Sequence, residues 1–302
     1  MSTQPIDFNP PTEEAPAFLL PQAGTLFADR AERFATLARD HALGDWLAFL
    51  GQISAAQQHA QARLPALPLP DPETLERART HAMPPLDPAK RPAAWRDALR
   101  DIANELIADA PDGAQKALKA LLAADDAWLE RLAEALLVNG EIEEGDAAEL
   151  PFIGAALQVV FTQLASQMVV SALQALDAHN VCPCCGSPAV ASVVRIGAAI
   201  NNLRYLHCSL CNTEWNVPRA VCSVCSNDKT VALHQLEGSD GRVRAETCDE
   251  CHSTLKIVYQ EKDPNVDPVA DDLATLALDM LIDEAGYERA GPNLLLIGAH
   301  SG

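Results

Sequence analysis

The chain is poor in positive charge: 22 lysines and arginines face 42 aspartates and glutamates, for a formal net charge of −20. Tight binding to a nucleic-acid backbone draws on clustered cationic side chains, so that balance argues against it. No Gly-rich phosphate loop, nucleophile motif or acid/base pair emerges, and no enzyme active site is visible. The opening residues, MSTQPIDFNPPTEEAP, lack the positive n-region and apolar h-region of a secretory signal, which points to a cytoplasmic, reducing compartment. There, metal-bound thiolates are expected ahead of disulfides. Charge of either sign is missing from the 27 residues Leu150 to Leu176, long enough for a membrane span. Yet Gln158, Thr162, Ser166 and Gln167 fall close to one stripe at helical spacing, with Ser171 and Gln174 nearby. Polar residues are costly in lipid, so a central helix of a soluble domain is expected and stable membrane insertion is not.

What is present is cysteine in a pattern. Eight of the nine cysteines form Cys-x-x-Cys pairs: Cys182/Cys185, Cys208/Cys211, Cys222/Cys225 and Cys248/Cys251. Each cysteine of the last two pairs follows its counterpart in the first two by 40 positions, the mark of a duplicated module. Two intervening residues let both thiolates of a tight turn face one tetrahedral ion, and a second such turn completes four ligands. Within each repeat 22 residues separate the turns, enough for a hairpin out and back. A knuckle needs a permissive backbone just after its second cysteine, and the residues there are Gly186, Asn212, Ser226 and His252. Two tetracysteine metal sites in tandem are therefore expected, with all eight paired cysteines as ligands. The duplication favours pairing inside each repeat over an interleaved set joining Cys182/Cys185 to Cys222/Cys225. An all-thiolate tetrahedron suits zinc and a single iron equally, and spacing does not separate them. A module of about 30 residues buries too little surface to fold alone, so bound metal worth about 10 to 16 kcal/mol should supply its stability.

Neighbouring residues receive plainer readings. Cys184, inside the first knuckle, is read as a small residue pointing away from the ion rather than as a redox or sulfur-carrying thiol. His207 and His252 flank ligand cysteines of sites already filled, so supporting or surface roles are expected. Tyr205 and Trp215 should form the first module's small core. Arg195, Arg204, Arg219, Arg242 and Arg244, balanced by eight acids between residues 181 and 261, read as a solvated surface.

With 302 residues and 48% hydrophobic content, about two packed domains are expected. Residues 1–24, rich in proline and polar groups, read as an irregular arm. Residues 25–178 read as an all-helical domain. Phe27, Ala31, Phe34 and Ala38 share one helical face; Asp45 caps a second helix with Trp46, Leu50 and Ile53 inward. Leu64 to Pro72 reads as an extended connector, and Met83 to Pro92 as a similar break. Trp95, Leu99, Ile102 and Leu106 mark another helix, Leu118, Leu121 and Leu122 continue the pattern, and Asp125 caps one carrying Leu129, Leu132 and Leu136, stopped at Asn139-Gly140. A long helix from about Phe152 to Ala178 closes the domain. Residues 179–219 and 220–262 are the two modules, with short β-branched strands such as 190–194 and 255–259. Residues 263–302 hold a C-terminal helix and tail, opened by Asp267 and Pro268, with Val269, Leu273, Leu276 and Met280 on one face, ending near Gly286 and docking on one of the two domains. The acidity is carried outside the modules: net −13 over residues 1–180, −1 over 181–261 and −6 over 262–302.

The strings CPCCGSPAV with VVRIG, LRYLHCSLCNTEW, CSVC and CDECHSTLKIVYQEKDPNVDPVADDLATLALD closely resemble the formate dehydrogenase accessory protein FdhE family, over about Val181 to Tyr287. The resemblance implies a multidomain α+β fold: an all-α N-terminal domain, two tandem rubredoxin-like (zinc-ribbon-like) tetracysteine modules and a C-terminal helix. It also implies a non-catalytic cytoplasmic helper needed for active respiratory formate dehydrogenase, acting on the selenium- or cysteine-containing molybdenum catalytic subunit before its twin-arginine export. Iron is the metal the family implies, at Cys182, Cys185, Cys208, Cys211, Cys222, Cys225, Cys248 and Cys251, with zinc as the alternative. Cys184 departs from the family pattern, in which a non-cysteine residue is more common. Three functions compete: a maturation factor, an electron-transfer or thiol-redox protein acting on the same client, and a zinc-ribbon nucleic-acid binder, which the net charge opposes.

Overall fold

The computed structural model describes residues 15–138 and 142–296; the expected stop at Asn139-Gly140 and the outer ends of the arm and tail lie outside them. Among the described residues seven helices precede the cysteine region: α1 (Leu26–Leu37), α2 (Gly44–Arg63), α3 (Pro72–Thr80), α4 (Ala94–Leu106), α5 (Asp112–Ala123), α6 (Asp126–Leu137) and α7 (Leu150–Ser166). The expected stripes face inward: Phe27, Phe34, Trp95, Leu99, Ile102, Leu118, Leu129 and Leu132 are all buried. Asp125 caps α6 by accepting from the Trp128 amide at 2.8 Å.

One local expectation is corrected. Helix α2 starts one residue before Asp45, because the Leu43 carbonyl already takes the first helical bond, from the Leu47 amide at 2.9 Å. Asp45 lies instead in the first turn, where its charge complements the helix dipole. Helix α3 stands where the proline-rich connector ends: Asp71 accepts from the Thr74 amide at 2.8 Å and Pro72 fills the first turn.

Helix α7 is buried along nearly its whole length, as an all-round apolar helix must be. It ends at Ser166, well short of Ala178. The Ser166 hydroxyl donates back to the Gln163 carbonyl at 2.8 Å, and the chain passes through a short turn at Val170–Ala172 into extended backbone. There Gln174 donates to the Ala78 and Arg79 carbonyls, spending itself on the end of α3. Among the described residues no helix is long and apolar enough to cross a membrane.

Gly154 marks a close approach within α7. A Cβ built there would lie 2.7 Å from the Leu294 carbonyl oxygen and 2.9 Å from the Leu294 Cβ. Helix propensity alone favours alanine by about 1 kcal/mol. The collision dominates, so Gly154→Ala should destabilise by about 1–3 kcal/mol, the usual cost of overpacking, and lower the thermal midpoint. A variant melting at or above the wild type would contradict that close packing.

The strands are β1 (Phe18–Leu19), β2 (Ala189–Val194), β3 (Arg204–Cys208), β4 (Glu214–Val217), β5 (Val231–His234), β6 (Val243–Cys248), β7 (Ser253–Tyr259) and β8 (Glu288–Arg289). Each cysteine repeat forms an antiparallel three-strand meander, β2-β3-β4 and β5-β6-β7. The meanders are not separate ribbons. Strand β2 pairs parallel with β7, Val193 opposite Val258, to give one sheet in the order β1-β4-β3-β2-β7-β6-β5, with β8 added beside β7. Part of the expected irregular arm is the edge strand β1, with Phe18 opposite Trp215. A two-residue strand among prolines carries no periodicity by which to read it.

The expected single C-terminal helix is two: α8 (Pro268–Leu273) and α9 (Leu276–Glu284). Asp267 caps α8 as expected, accepting from the Val269 and Ala270 amides. The break follows from competition for carbonyls. Thr275 Oγ1 donates to the Asp271 and Asp272 carbonyls, and the buried Lys256 ammonium donates to those of Asp272 and Thr275. Beyond the break the face turns, leaving Met280 65% exposed. Helix α8 docks on both halves, through Arg30–Asp267 at 3.1 Å and Arg33–Asp271 at 2.6 Å on α1, and against β2 and β7 on the sheet.

Candidate metal centres

In each repeat the first knuckle leads into a strand, and the third cysteine is the last residue of the next, Cys208 on β3 and Cys248 on β6. The turns repeat bond for bond. Cys182 N donates to Ser187 O and Gly186 N to Cys182 O, both at 2.8 Å; Cys222 N donates to Asn227 O at 2.8 Å and Ser226 N to Cys222 O at 3.0 Å. Gly186, Asn212, Ser226 and His252 all have positive φ, at 78°, 57°, 61° and 53°. The left-handed residue is thus present in all four knuckles, three times without glycine.

These turns gather the sulfurs by repeat, not by the interleaved alternative: Cys182, Cys185, Cys208 and Cys211 in one cluster, Cys222, Cys225, Cys248 and Cys251 in the other, all within 4.8 Å of one another. In the first, Cys182 and Cys211 lie 3.5 Å apart, as do Cys185 and Cys208; in the second, Cys222–Cys251 and Cys225–Cys248 lie at 3.7 and 3.6 Å. Four sulfurs about 2.3 Å from one ion form a tetrahedron with edges of about 3.8 Å, so the donor set fits a tetrathiolate centre. Burial pushes the Cys182 and Cys208 thiols well above their ordinary value. Thiolates in such a nest require a cation among them. Two cysteine tetrads able to bind metal ions are therefore built into the sheet.

The helical domain grips the first tetrad. From the polar stripe on α7, Gln158 donates to the Ser209 carbonyl at 2.8 Å, and the Thr162 hydroxyl accepts from Asn212 Nδ2 at 2.7 Å. Arg30 of α1 donates to Asn212 Oδ1 at 2.9 Å. Leu86, in the break before α4, donates its amide to the Cys184 carbonyl at 3.0 Å. Sequence spacing located that stripe but not its use, which depends on which helix meets the knuckle. Cys184 itself is fully buried in the shared core, its thiol raised by hydrogen bonding with Cys211 and by burial. Burial of that kind suits a packed residue and not a sulfur carrier.

His207 lies behind the first tetrad, its ring nitrogens 2.9 Å from Glu214 Oε1 and 3.0 Å from Asn212 Oδ1, while His252 is exposed. Tyr205 and Trp215 are both buried but in different clusters, Tyr205 with Val193, Val243 and Val258 between the repeats and Trp215 toward the helices. The solvated-surface reading is corrected for two arginines. Arg204 is 1% exposed and joins the repeats through Glu246, at 2.7 and 3.0 Å; Arg195 pairs with buried Glu214. Both guanidiniums found carboxylates across the sheet, a pairing that a count of charges does not reveal. An apolar groove of about 430 Å³ passes from Val181 and Pro183 to Cys222 and Ser226, with Phe18 and Trp215 in its wall.

Glu214 gives a pH signature. Burial raises its carboxyl, but Arg195 and His207 outweigh burial and hold it down to about 2, against an ordinary 4.5. Its folded value is depressed, so its contribution is full above about pH 4.5 and is lost as pH falls toward 2. The shift corresponds to about 3 kcal/mol. The stability gap between wild type and Glu214→Gln should therefore be widest near neutrality and close in acid. A gap independent of pH in denaturant titrations would contradict this.

A helical N-terminal region followed by a sheet with two cysteine tetrads defines a class: a two-centre tetracysteine protein whose first centre is held between helices and sheet. Family models described as "FdhE, N-terminal", "FdhE, central domain" and "FdhE, C-terminal domain" match residues 15–177, 181–219 and 220–296. The chain is 40% identical over 287 residues to the protein FdhE homolog of Serratia proteamaculans, covering 94% of this chain and 92% of that one. It is 41% identical over 279 residues to the homolog of Pseudomonas aeruginosa, covering 90% of each. The crystal structure of the FdhE protein from Pseudomonas aeruginosa superposes with a TM-score of 0.84 at 38% identity, covering 95% of this chain and all of that one. The chain belongs to the FdhE family.

Proposed function

We propose that this chain is a cytoplasmic accessory protein of formate dehydrogenase maturation, which binds the catalytic subunit before export and holds one iron in each tetrad. The observation that carries this reading is kinship with FdhE proteins over more than nine-tenths of the chain, combined with both cysteine tetrads. The eight paired cysteines are the ligands, and the ions, when bound, supply tetrahedral cross-links. The protein's own groups do the rest: the knuckle turns aim the sulfurs, and Gln158, Thr162 and Arg30 fix the first knuckle against the helices. It acts by binding its client, not by turning over a substrate. A strain lacking the gene should lose respiratory formate dehydrogenase activity and regain it with the wild-type chain. The tagged chain should also capture the cofactor-free catalytic subunit. Normal activity in the deletion strain would overturn the role, and anaerobic protein carrying stoichiometric colourless zinc would replace iron as the metal.

The solvent-facing second tetrad favours a second reading, electron transfer or thiol-redox action on the same client. Reversible cycling of bound iron that supports turnover with a reductant would select it.

A further inference from the structure

The two tetrads share a turn geometry but not an environment. Cys182, Cys185, Cys208 and Cys211 are each at most 1% exposed, enclosed by helices on one side and the sheet on the other. In the second tetrad Cys222 and Cys248 are buried, Cys251 is half-buried and Cys225 is exposed. Amide and hydroxyl contacts support both tetrads, so exposure alone separates them. The Val224 and Cys225 amides face Cys222 and those of Glu250 and Cys251 face Cys248 in the second, while Thr213 Oγ1 lies 3.2 Å from Cys211 Sγ in the first. The first knuckles direct the Cys184 amide at Cys182 Sγ and the Leu210 and Cys211 amides at Cys208 Sγ, all at 3.4 Å. In the second, Val224 N donates to Cys222 Sγ at 3.4 Å, and hydroxyls supply other contacts, Ser253 Oγ lying 2.9 Å from Cys251 Sγ and Thr230 Oγ1 3.7 Å from Cys248 Sγ. Losing an ion from the first tetrad requires parting the helix–sheet interface. Losing one from the second requires only that the turn carrying Cys225 swing outward, a local opening.

We propose that the second tetrad is an open coordination site, whose ion exchanges independently of the first and whose Cys225 position can be taken by an external thiolate. The step is a redox-neutral ligand exchange. The bond from Cys225 Sγ to the metal breaks, a bond from the incoming sulfur forms, and the proton of the incoming thiol passes to Cys225. This deepens the proposed function and rests on its reading of the tetrads as metal sites: one ion serves as a fixed cross-link, and the other can touch a sulfur donor on a partner.

Cobalt(II) is the probe, because its tetrathiolate absorption reports the number of bound sulfurs. The full-length protein loaded with cobalt is treated with EDTA and followed by native mass spectrometry, with alkylation mapping the released thiols. One ion should leave at least about tenfold faster than the other, exposing Cys222, Cys225, Cys248 and Cys251 to alkylation while Cys182, Cys185, Cys208 and Cys211 stay protected. In Cys225→Ala the tetrathiolate band of the second site should be lost, then restored by millimolar 2-mercaptoethanol. Loss of both ions in one phase, faster release from the first tetrad, or a Cys225→Ala protein that no thiol restores would overturn the proposal. Wild-type protein that takes up fewer than two cobalt ions would instead overturn the metal reading beneath it.

Discussion

Cys208→Ser is expected to leave the sheet half without a stable fold. Cys208 ends β3, is fully buried, and accepts amide bonds from Leu210 and Cys211 at the point where the helical domain reaches the knuckle. Binding at a structural tetracysteine site is worth about 10 to 16 kcal/mol, comparable with the whole stability of a domain. The cost spreads because the first tetrad lies in the same hydrophobic cluster as α2, α4 and α7. Far-ultraviolet circular dichroism should show lost strand content, and thermal unfolding should lose its cooperative transition or shift down by tens of degrees. Cys225→Ser, on the exposed rim, should keep most of the fold. Equal damage from both substitutions would refute the division between a closed and an open centre.

The second large effect concerns the Arg204–Glu246 pair. Arg204, on β3, reaches across β2 and β7 to Glu246 on β6, and also donates to Ser192 Oγ and to the Val221 carbonyl just before Cys222. Removing one member of a buried ion pair strands the other, at a cost of about 3–5 kcal/mol. Arg204→Met and Glu246→Met should each destabilise by that amount, while the double replacement, which strands nothing, should recover most of it. Denaturant midpoints for the four proteins give the coupling. Additive single losses would show that the two side chains act separately. Arg204→Met should also speed metal loss from the second tetrad, since it releases the carbonyl that anchors that knuckle.

Much of the clustering of the cysteines was legible because a knuckle is a local turn. A Cys-x-x-Cys turn followed by Gly186 or Asn212 encodes both its sulfurs and its left-handed residue within five positions, and an offset of 40 pairs the knuckles. Helices with a regular stripe, such as that of Trp95 and Leu99, were legible for the same reason. What escaped depends on partners distant in sequence. Nothing local to Lys256 announces that its ammonium will end a helix at Asp272, and nothing near Ser192 announces a parallel neighbour at Ile257. The exposure of Cys225 against the burial of Cys185 follows from where the helical domain docks, although the two knuckles match in spacing.

The parallel pairing of β2 with β7 ties the start of the first repeat to the end of the second, Val194 opposite Tyr259. A ribosome delivers the chain from its amino end, so β2 emerges with one side of its backbone unpaired and stays so until the second repeat has followed. Arg30 and Arg33 wait longer still, for Asp267 and Asp271. A chain cut off before these segments would keep its first four cysteines yet present a raw strand border and two buried cations lacking their counter-charges. Quality control in the cell could therefore distinguish a finished molecule from a fragment without inspecting either tetrad.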